Sequence, residues 1–387
     1  MQNFNFCSPT QLVFGKGCEC EIGNRLAERF PGGRVMMVYG GGSIRRSGLY
    51  DRVMASLRQA GLQVREKGGV HPNPDIGFVR DLIAECRNWQ PDVLLAVGGG
   101  SVIDTAKAAA MGVPYEGDVW DFFCGKAVCT KALPIAVVLT IPAAGSELSM
   151  RVVITNEGRK WGTASQAIRS YLSVIDPELF FTLPAWQAAA GIVDMMSHIM
   201  ERYLTNTTGT GFVDAQAEAA MKTIMKYGRF VHKFPQDYDA WSQIGLAGTF
   251  AHNGFFGLGQ EEDWACHGIE HELSAWKPEI THGAGLAVVT PGYLSYVARR
   301  NPARILQWAR NVMEVDPELD ESKAVAGAVA SLRDFYKSLG MPLTLRELGA
   351  GDAPIEQLAE RAVAKGPLGH YVPLKAADVA AILRSVL

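Results

Sequence analysis

Four side chains in the second half of the chain have the types and spacing of a divalent-metal site: Asp194, His198, His267 and His282. Asp194 and His198 are four residues apart in VDMMSHIMERY, a stretch of helical character, so both project from one helix face. His267 and His271 repeat this spacing in WACHGIEHELSAW. One carboxylate and several imidazoles suit a divalent cation that keeps an open coordination position. We therefore predict metal-assisted chemistry rather than a structural metal.

The composition indicates which classes of protein this chain can belong to. The chain has 387 residues, 48% of them hydrophobic, and a net charge of −3, which predicts two or three domains and no nucleic-acid partner. The first residues lack a basic segment followed by an apolar run, and the most apolar stretch, Leu133–Gly145, is too short to span a bilayer. Seven cysteines without a C-x-x-C pair indicate reduced thiols. We expect a cytoplasmic protein with no membrane partner.

Strand and helix patterns alternate in the first half of the chain. Strands are predicted at 35–39, 63–66, 93–97, 135–139 and 172–175, with a weaker one at 152–155. Helices are predicted at 49–60 and after Asp75, which fits the N-cap position. Continuous apolar strands separated by helices indicate an α/β domain with a mainly parallel sheet.

Strand patterns end near Leu183-Pro184, and helical periodicity continues to Leu387. The sequence therefore predicts an α/β domain over 1–183 and an all-helical domain over 184–387. Breaks between helices are expected at six prolines: Pro235, Pro278, Pro291, Pro302, Pro317 and Pro342.

Two glycine-rich turns follow predicted strands, at Gly40–Ser43 and at Gly98–Ser101. Backbone N–H groups free of side chains, at the start of a helix, favour a phosphate group. Ser101 and Asp104 have the spacing of a capping box. The alternative is a tight turn that needs positive φ. Because the G-x-G-x-x-G fingerprint is absent, the turns alone do not establish a dinucleotide site.

The first turn bears on which dinucleotide binds. NAD-selective sites usually place a carboxylate near this strand end, whereas this chain has Ser43 followed by Arg45 and Arg46. Guanidinium groups bind a 2′-phosphate well, which predicts NADP rather than NAD. Alternatively, both arginines belong to a solvated helix start.

Ordered motifs along nearly the whole chain resemble the iron-containing (group III) alcohol dehydrogenases, and within them the NADPH-dependent aldehyde reductase and butanol dehydrogenase branch. The motifs are FGKG (14–17), YGGGS (39–43), HPNP (71–74), AVGGGSVIDTAK (96–107), TIPAAGSE (140–147), VIDPEL (174–179), TLPAWQAAAGIVDMMSH (182–198), HGIEHEL (267–273) and THG (281–283). The resemblance implies a dehydroquinate synthase-like architecture, with the active site in a cleft between the two domains. It also implies a homodimer in which the segment around Leu12–Phe14 pairs across the interface.

Specific roles follow from the resemblance. It implies that one iron or zinc ion is held by Asp194, His198, His267 and His282. It implies that the cofactor contacts Gly41, Ser43, Gly98, Gly99, Gly100, Ser101, Asp104, Thr140, Ser146 and Lys160. The chain departs from the family pattern at Ala144, where threonine is common, and at the WKPEI segment, which the resemblance places at the substrate pocket.

The resulting hypothesis is an NADP-linked, metal-dependent alcohol dehydrogenase that acts mainly as a reductase of small aldehydes. His271 is the candidate proton relay, because imidazole titrates near neutral pH; a structural histidine is the alternative. An apolar pocket is expected from Phe122, Trp161, Phe255, Phe256, Leu258, Trp264 and Trp276. The alternatives are a dehydroquinate synthase-like or glycerol-type enzyme that uses NAD and zinc on a polyol or sugar phosphate, and a catalytically silent dinucleotide-binding protein.

Overall fold

A computed structural model describes residues 1–387, which divide into two compact units. One comprises Cys7–Leu183, and the other comprises Pro184–Leu387 together with Met1–Phe6. The first six residues thus differ from the predicted assignment to the α/β domain. They pack on the helical unit, where the Phe6 ring contacts Phe255 and the Gln2 amide donates to the Gly259 carbonyl.

The first unit contains a six-stranded parallel sheet, with strands β1 (Gln11–Phe14), β2 (Arg34–Tyr39), β3 (Gln63–Lys67), β4 (Val93–Gly98), β5 (Ile135–Leu139) and β8 (Leu172–Ile175). The strand order is β1-β8-β5-β4-β2-β3. The helices are α1 (Ile22–Arg29), α2 (Ser43–Arg46), α3 (Leu49–Gln59), α4 (Ile76–Trp89), α5 (Gly100–Gly112) and α6 (Trp120–Phe123). The predicted parallel α/β architecture is confirmed.

Both faces of the central strands are buried, which explains their continuous apolar sequences. Leu95 and Val97 of β4 pack in a core that includes Ile22 of α1 and Val53 of α3. The alternate residues of β4, such as Ala96, are equally buried, and α5 also packs on this strand.

Two features of this unit differ from the sequence-based predictions. Strand β6 (Arg151–Asn156) pairs with a strand that was not predicted, β7 (Arg159–Ala164), in an antiparallel hairpin. The polar, glycine-containing sequence of β7 gives little strand signal. Strand β1, which is not among the predicted strands, pairs with β8 of its own chain as an edge strand, and the predicted pairing of this segment across a dimer interface stays a prediction.

The second unit is helical, as predicted. It contains α7 (Ala185–Tyr203), α8 (Gly211–Lys233), α9 (Tyr238–Ala251), α10 (Ala265–Trp276), α11 (His282–Val297), α12 (Ala303–Asn311), α13 (Glu321–Ser338), α14 (Ile355–Ala362) and α15 (Ala376–Ser385). Pro291 lies inside α11 rather than at a break, so that prediction was wrong. The surrounding residues are almost all buried, and this packing outweighs the loss of one backbone hydrogen bond.

Helices α7, α10 and α11 pack on one another, and these three helices carry the predicted metal ligands. The approach of α11 to α7 is close, because a Cβ atom on Gly283 would lie 2.0 Å from the Ala190 carbonyl oxygen. No helix is both long and apolar enough to cross a bilayer.

Candidate functional site

The predicted metal ligands come together from three helices. Ligand atoms of Asp194, His267 and His282 lie within 4.8 Å of one another. Asp194 Oδ1 is 3.6 Å from Nε2 of His267 and 3.7 Å from Nε2 of His282. His198 stands outside this closest group, but its ring centroid is 4.4 Å from that of His267, and its Nδ1 is 3.1 Å from Asp194 Oδ1.

The donor set fits a cation. Asp194 Oδ1 and His267 Nε2 are buried and have no hydrogen-bond partner, a costly arrangement that a shared metal ion would relieve. Asp194, His198, His267 and His282 together offer one carboxylate and three imidazoles, which suit zinc or ferrous iron.

Each histidine has an acceptor at Nδ1. The His198 Nδ1 donates to the Asp194 carbonyl at 2.9 Å, while those of His267 and His282 contact the carboxylates of Glu201 and Glu270. In the neutral rings, these contacts place the single proton on Nδ1 and leave the Nε2 lone pair for a metal.

Burial and neighbouring charges shift the pKa values of the ligands in the metal-free cluster in different directions. Burial would raise the pKa of Asp194, but the adjacent histidines, His198 first, hold it well below its ordinary value. Burial lowers the pKa of His198 to about 4. Burial also acts to lower the pKa of His267, but Glu201 and Asp194 outweigh it and raise the pKa to about 9.

Two carboxylates that the sequence analysis does not name, Glu201 and Glu270, support two of the ligands. Both side chains are fully buried. Each lies three residues after a predicted histidine ligand, and each supports a histidine on a different helix. A carboxylate one helical turn after a metal-binding histidine is the available sequence signal; the partner it holds depends on helix packing.

Further polar and aromatic groups lie beside His198. His252 is 4.3 Å from the His198 ring, and its Nδ1 is 2.6 Å from the buried Arg202 guanidinium. Trp264 has a φ of 64°, a strained value for tryptophan, and its ring is 5.1 Å from that of His267. Trp264, one of the residues expected to form the apolar pocket, therefore lies beside the metal ligands.

His271, the candidate relay, lies near this cluster. Its ring centroid is 5.4 Å from that of His282 and 6.1 Å from that of His267. A ligand atom of His271 also lies within 4.8 Å of Glu270 and His282.

The two glycine turns of the α/β unit follow neighbouring strands. Tyr39 at the end of β2 pairs with Val97 near the end of β4, so both turns lie at the same edge of the sheet. The strand order reverses at this point, because β3 lies beside β2 on one side and β4 lies beside it on the other. In parallel α/β sheets, such a switch point is the usual ligand position.

The Gly98–Ser101 turn has the features of a phosphate-binding start of a helix. Helix α5 begins at Gly100, and no side chain caps it. The predicted capping box was wrong: Asp104 instead accepts hydrogen bonds from Ser146 Oγ at 2.6 Å and from the Val153 amide at 2.9 Å. These bonds connect α5 to β6. Asp104 therefore binds groups from other parts of the fold instead of capping its own helix.

The remaining predicted cofactor residues lie in the same unit. A Cβ atom on Gly41 would meet nothing within 4 Å, so backbone there is accessible; Ser43 is exposed. The Thr140 amide donates to the Gly98 carbonyl at 3.1 Å, which joins the loop after β5 to the end of β4. Lys160 is buried on β7. Whether these residues contact a cofactor stays a prediction.

Comparison with known proteins identifies the family. Residues 9–177 match the model of the iron-containing alcohol dehydrogenases, and residues 188–387 match the C-terminal model of the same family. The chain belongs to the iron-containing alcohol dehydrogenase family. The predicted family and dehydroquinate synthase-like architecture are confirmed, and the sugar-phosphate alternative is not favoured.

Individual members of the iron-containing alcohol dehydrogenase family align along the chain. NADH-dependent butanol dehydrogenase A of Clostridium acetobutylicum is 40% identical over 99% of both chains. NADPH-dependent aldehyde reductase YqhD of Escherichia coli is 35% identical over 93% of both. The crystal structure of an NADH-dependent butanol dehydrogenase A from Thermotoga maritima superposes with a TM-score of 0.95 at 38% identity, covering 100% of this chain and 99% of that one.

Proposed function

We propose that this family member is an NADP-linked, metal-dependent alcohol dehydrogenase that acts mainly as a reductase of small, apolar aldehydes. The observation that carries the proposal is the convergence of Asp194, His267 and His282, with two buried atoms that lack hydrogen-bond partners. Together with His198 these residues would hold one zinc or ferrous ion.

Bound metal would supply Lewis acidity to the oxygen of an alcohol or aldehyde, and reduced nicotinamide would supply the hydride. Asp194 offsets part of the cation's charge, while three neutral imidazoles leave it electrophilic. His271 would move the proton through its imidazole nitrogens, because it lies beside the ligands without belonging to the closest group. The turn at Gly98–Ser101 would bind the pyrophosphate through backbone amides at the start of α5.

For the dinucleotide, we propose NADPH on the basis of Ser43 and Arg46. Arg46 extends over its own turn, with Nη1 at 2.8 Å from the position of a Cβ on Gly42. Arg45 is engaged elsewhere: its Nη2 lies 3.1 Å from the Glu66 carboxylate and 2.7 Å from the Tyr39 hydroxyl. Arg46 is therefore the more available partner for a 2′-phosphate. The names of the relatives include both NADH- and NADPH-dependent enzymes.

A panel of aliphatic, aromatic and phosphorylated aldehydes, assayed with NADPH and NADH on protein of measured metal content, tests the proposal. We expect metal-dependent reduction of apolar aldehydes with NADPH. Preference for a phosphorylated sugar would overturn the substrate assignment, and a clear NADH preference would overturn the role of Arg46. A homodimer stays part of the proposal, and light scattering on the same sample measures it.

A further inference from the structure

Glu201 makes contacts to two different parts of His267. It lies on α7, seven residues after Asp194, and reaches the first turn of α10. Its Oε1 accepts the backbone N–H of Cys266 at 2.6 Å and that of His267 at 3.2 Å. Its Oε2 contacts Nδ1 of the His267 ring. One buried carboxylate thus fixes both the backbone and the imidazole of a single residue.

We propose that Glu201 is a positioning residue that selects the metal-binding tautomer of His267; this inference rests on the metal centre of the proposed function. When a metal displaces the second ring proton, the Nδ1–H bonded to Glu201 leaves Nε2 as the free nitrogen, and Nε2 faces Asp194 Oδ1, 3.6 Å away. The same carboxylate accepts two amides of α10, so it also sets where this helix begins relative to Asp194.

The chemistry of these contacts requires a carboxylate rather than an amide. Glu201 accepts hydrogen bonds through both oxygens, from backbone on one side and from the ring on the other. A glutamine has one accepting oxygen and one donating nitrogen. If its oxygen faces the α10 amides, its NH₂ group faces Nδ1 and favours the tautomer with the proton on Nε2. If the glutamine amide is rotated by 180°, its NH₂ group faces the two backbone N–H donors of α10, and these donors lose their acceptor.

The test is Glu201→Gln, with Glu272→Gln as the matched control. Glu272 lies on α10 and pairs with Arg361 at 2.6 Å, so its substitution also removes a charge and an ion pair from this helix, but outside the ligand group. Zn²⁺ affinity is measured by competition with a chromophoric chelator. Circular dichroism checks that each variant is folded.

We expect Glu201→Gln to weaken Zn²⁺ binding by about 10- to 100-fold and Glu272→Gln by less than about twofold. Equal affinity of wild type and Glu201→Gln would overturn the inference. If wild type itself does not bind Zn²⁺, the proposed function fails instead, and the two failures are thereby distinguished.

A second measurement holds even if Glu201→Gln does not fold. In Zn²⁺-loaded wild type with ¹⁵N-labelled histidine, we expect the His267 ring to carry its proton on Nδ1 and to show slow exchange of that proton with water. A His267 ring protonated on Nε2, or metal-bound through Nδ1, would overturn the inference. A structural role of Glu201 that does not involve the ring predicts no such signature.

Discussion

Asp194 Oδ1 faces Nε2 of His267 at 3.6 Å and Nε2 of His282 at 3.7 Å, so one carboxylate of α7 is directed at imidazoles from two other helices. With its negative charge, Asp194 makes this cluster a better site for a cation than three histidines alone. Its amide isostere would retain the shape of the side chain but not the charge.

Asp194→Asn should therefore weaken Zn²⁺ binding by about a hundredfold or more, since loss of a mere supporting group already costs 10- to 100-fold. Aldehyde reduction at limiting metal should fall in parallel. Metal content after dialysis and turnover at several Zn²⁺ concentrations measure both effects. Asp239→Asn, at an exposed position of α9, is the control and should retain wild-type metal content. Full metal loading of Asp194→Asn would contradict the proposed ligand set.

The His271 relay has a kinetic signature. In aldehyde reduction a relay must be protonated to deliver its proton, so the rate should fall as pH rises. His271→Gln should lower kcat by about a hundredfold near neutral pH and abolish this dependence, with metal content unchanged. His232→Gln, at an exposed position on α8, serves as the control. An unaltered pH–rate profile in His271→Gln would leave His271 with a structural role.

Metal binding to the metal-free protein should depend on pH with a defined sign. Because the pKa of His267 is raised to about 9, its ring carries a proton at pH 7 that a cation must displace. Apparent Zn²⁺ affinity should increase about tenfold per pH unit from pH 7 to 9, and then level off. His198, with a pKa of about 4, is already neutral and adds no slope.

Chelator competition across this pH range, corrected for protonation of the chelator, measures the slope. Calorimetry in two buffers of different ionisation enthalpy should detect release of about one proton per Zn²⁺ at pH 7. A flat affinity profile would show that His267 is neutral before the metal arrives.

Substitutions of Arg45 and Arg46 should have different effects on the choice between NADPH and NADH. Arg46→Ala should raise KM for NADPH by about tenfold or more without altering KM for NADH, because it removes a charged partner of the 2′-phosphate alone. Arg45→Ala should affect both cofactors similarly, since Glu66 and Tyr39 engage that guanidinium. Steady-state kinetics with both cofactors measure the difference; identical behaviour of the two variants would contradict the assignment.

Two glycines in helices should respond oppositely to alanine. A Cβ on Gly283 would collide with the Ala190 carbonyl at 2.0 Å, so Gly283→Ala should destabilise the metal-free protein by about 2–4 kcal/mol. Gly327 lies inside α13, with no atom closer than 3.9 Å to an added Cβ. Gly327→Ala should stabilise by roughly 0.5–1 kcal/mol through helix propensity. Thermal unfolding of the metal-free proteins compares them.

Local sequence patterns determined much of the fold. Ile135–Leu139 and Leu172–Ile175 have the bounds predicted from their apolar runs, and Asp75 caps α4 by accepting the Gly77 amide. Such signals depend on residues that are close in the sequence, so they can be recognised without knowledge of tertiary contacts. The spacing of Asp194 and His198, and the two glycine turns, belong to the same class of information.

Tertiary structure decided what depends on residues distant in the chain. Asp104 binds Ser146 and the Val153 amide instead of capping α5, because those partners arrive from other elements. Pro291 remains inside α11 because buried packing outweighs its helix-breaking tendency. The sequence by itself determined which side chains could bind a metal. Only the packing of α7, α10 and α11 decided that Glu201 and Glu270 support histidines on other helices, because a hydrogen bond between helices has no periodic signature along the chain.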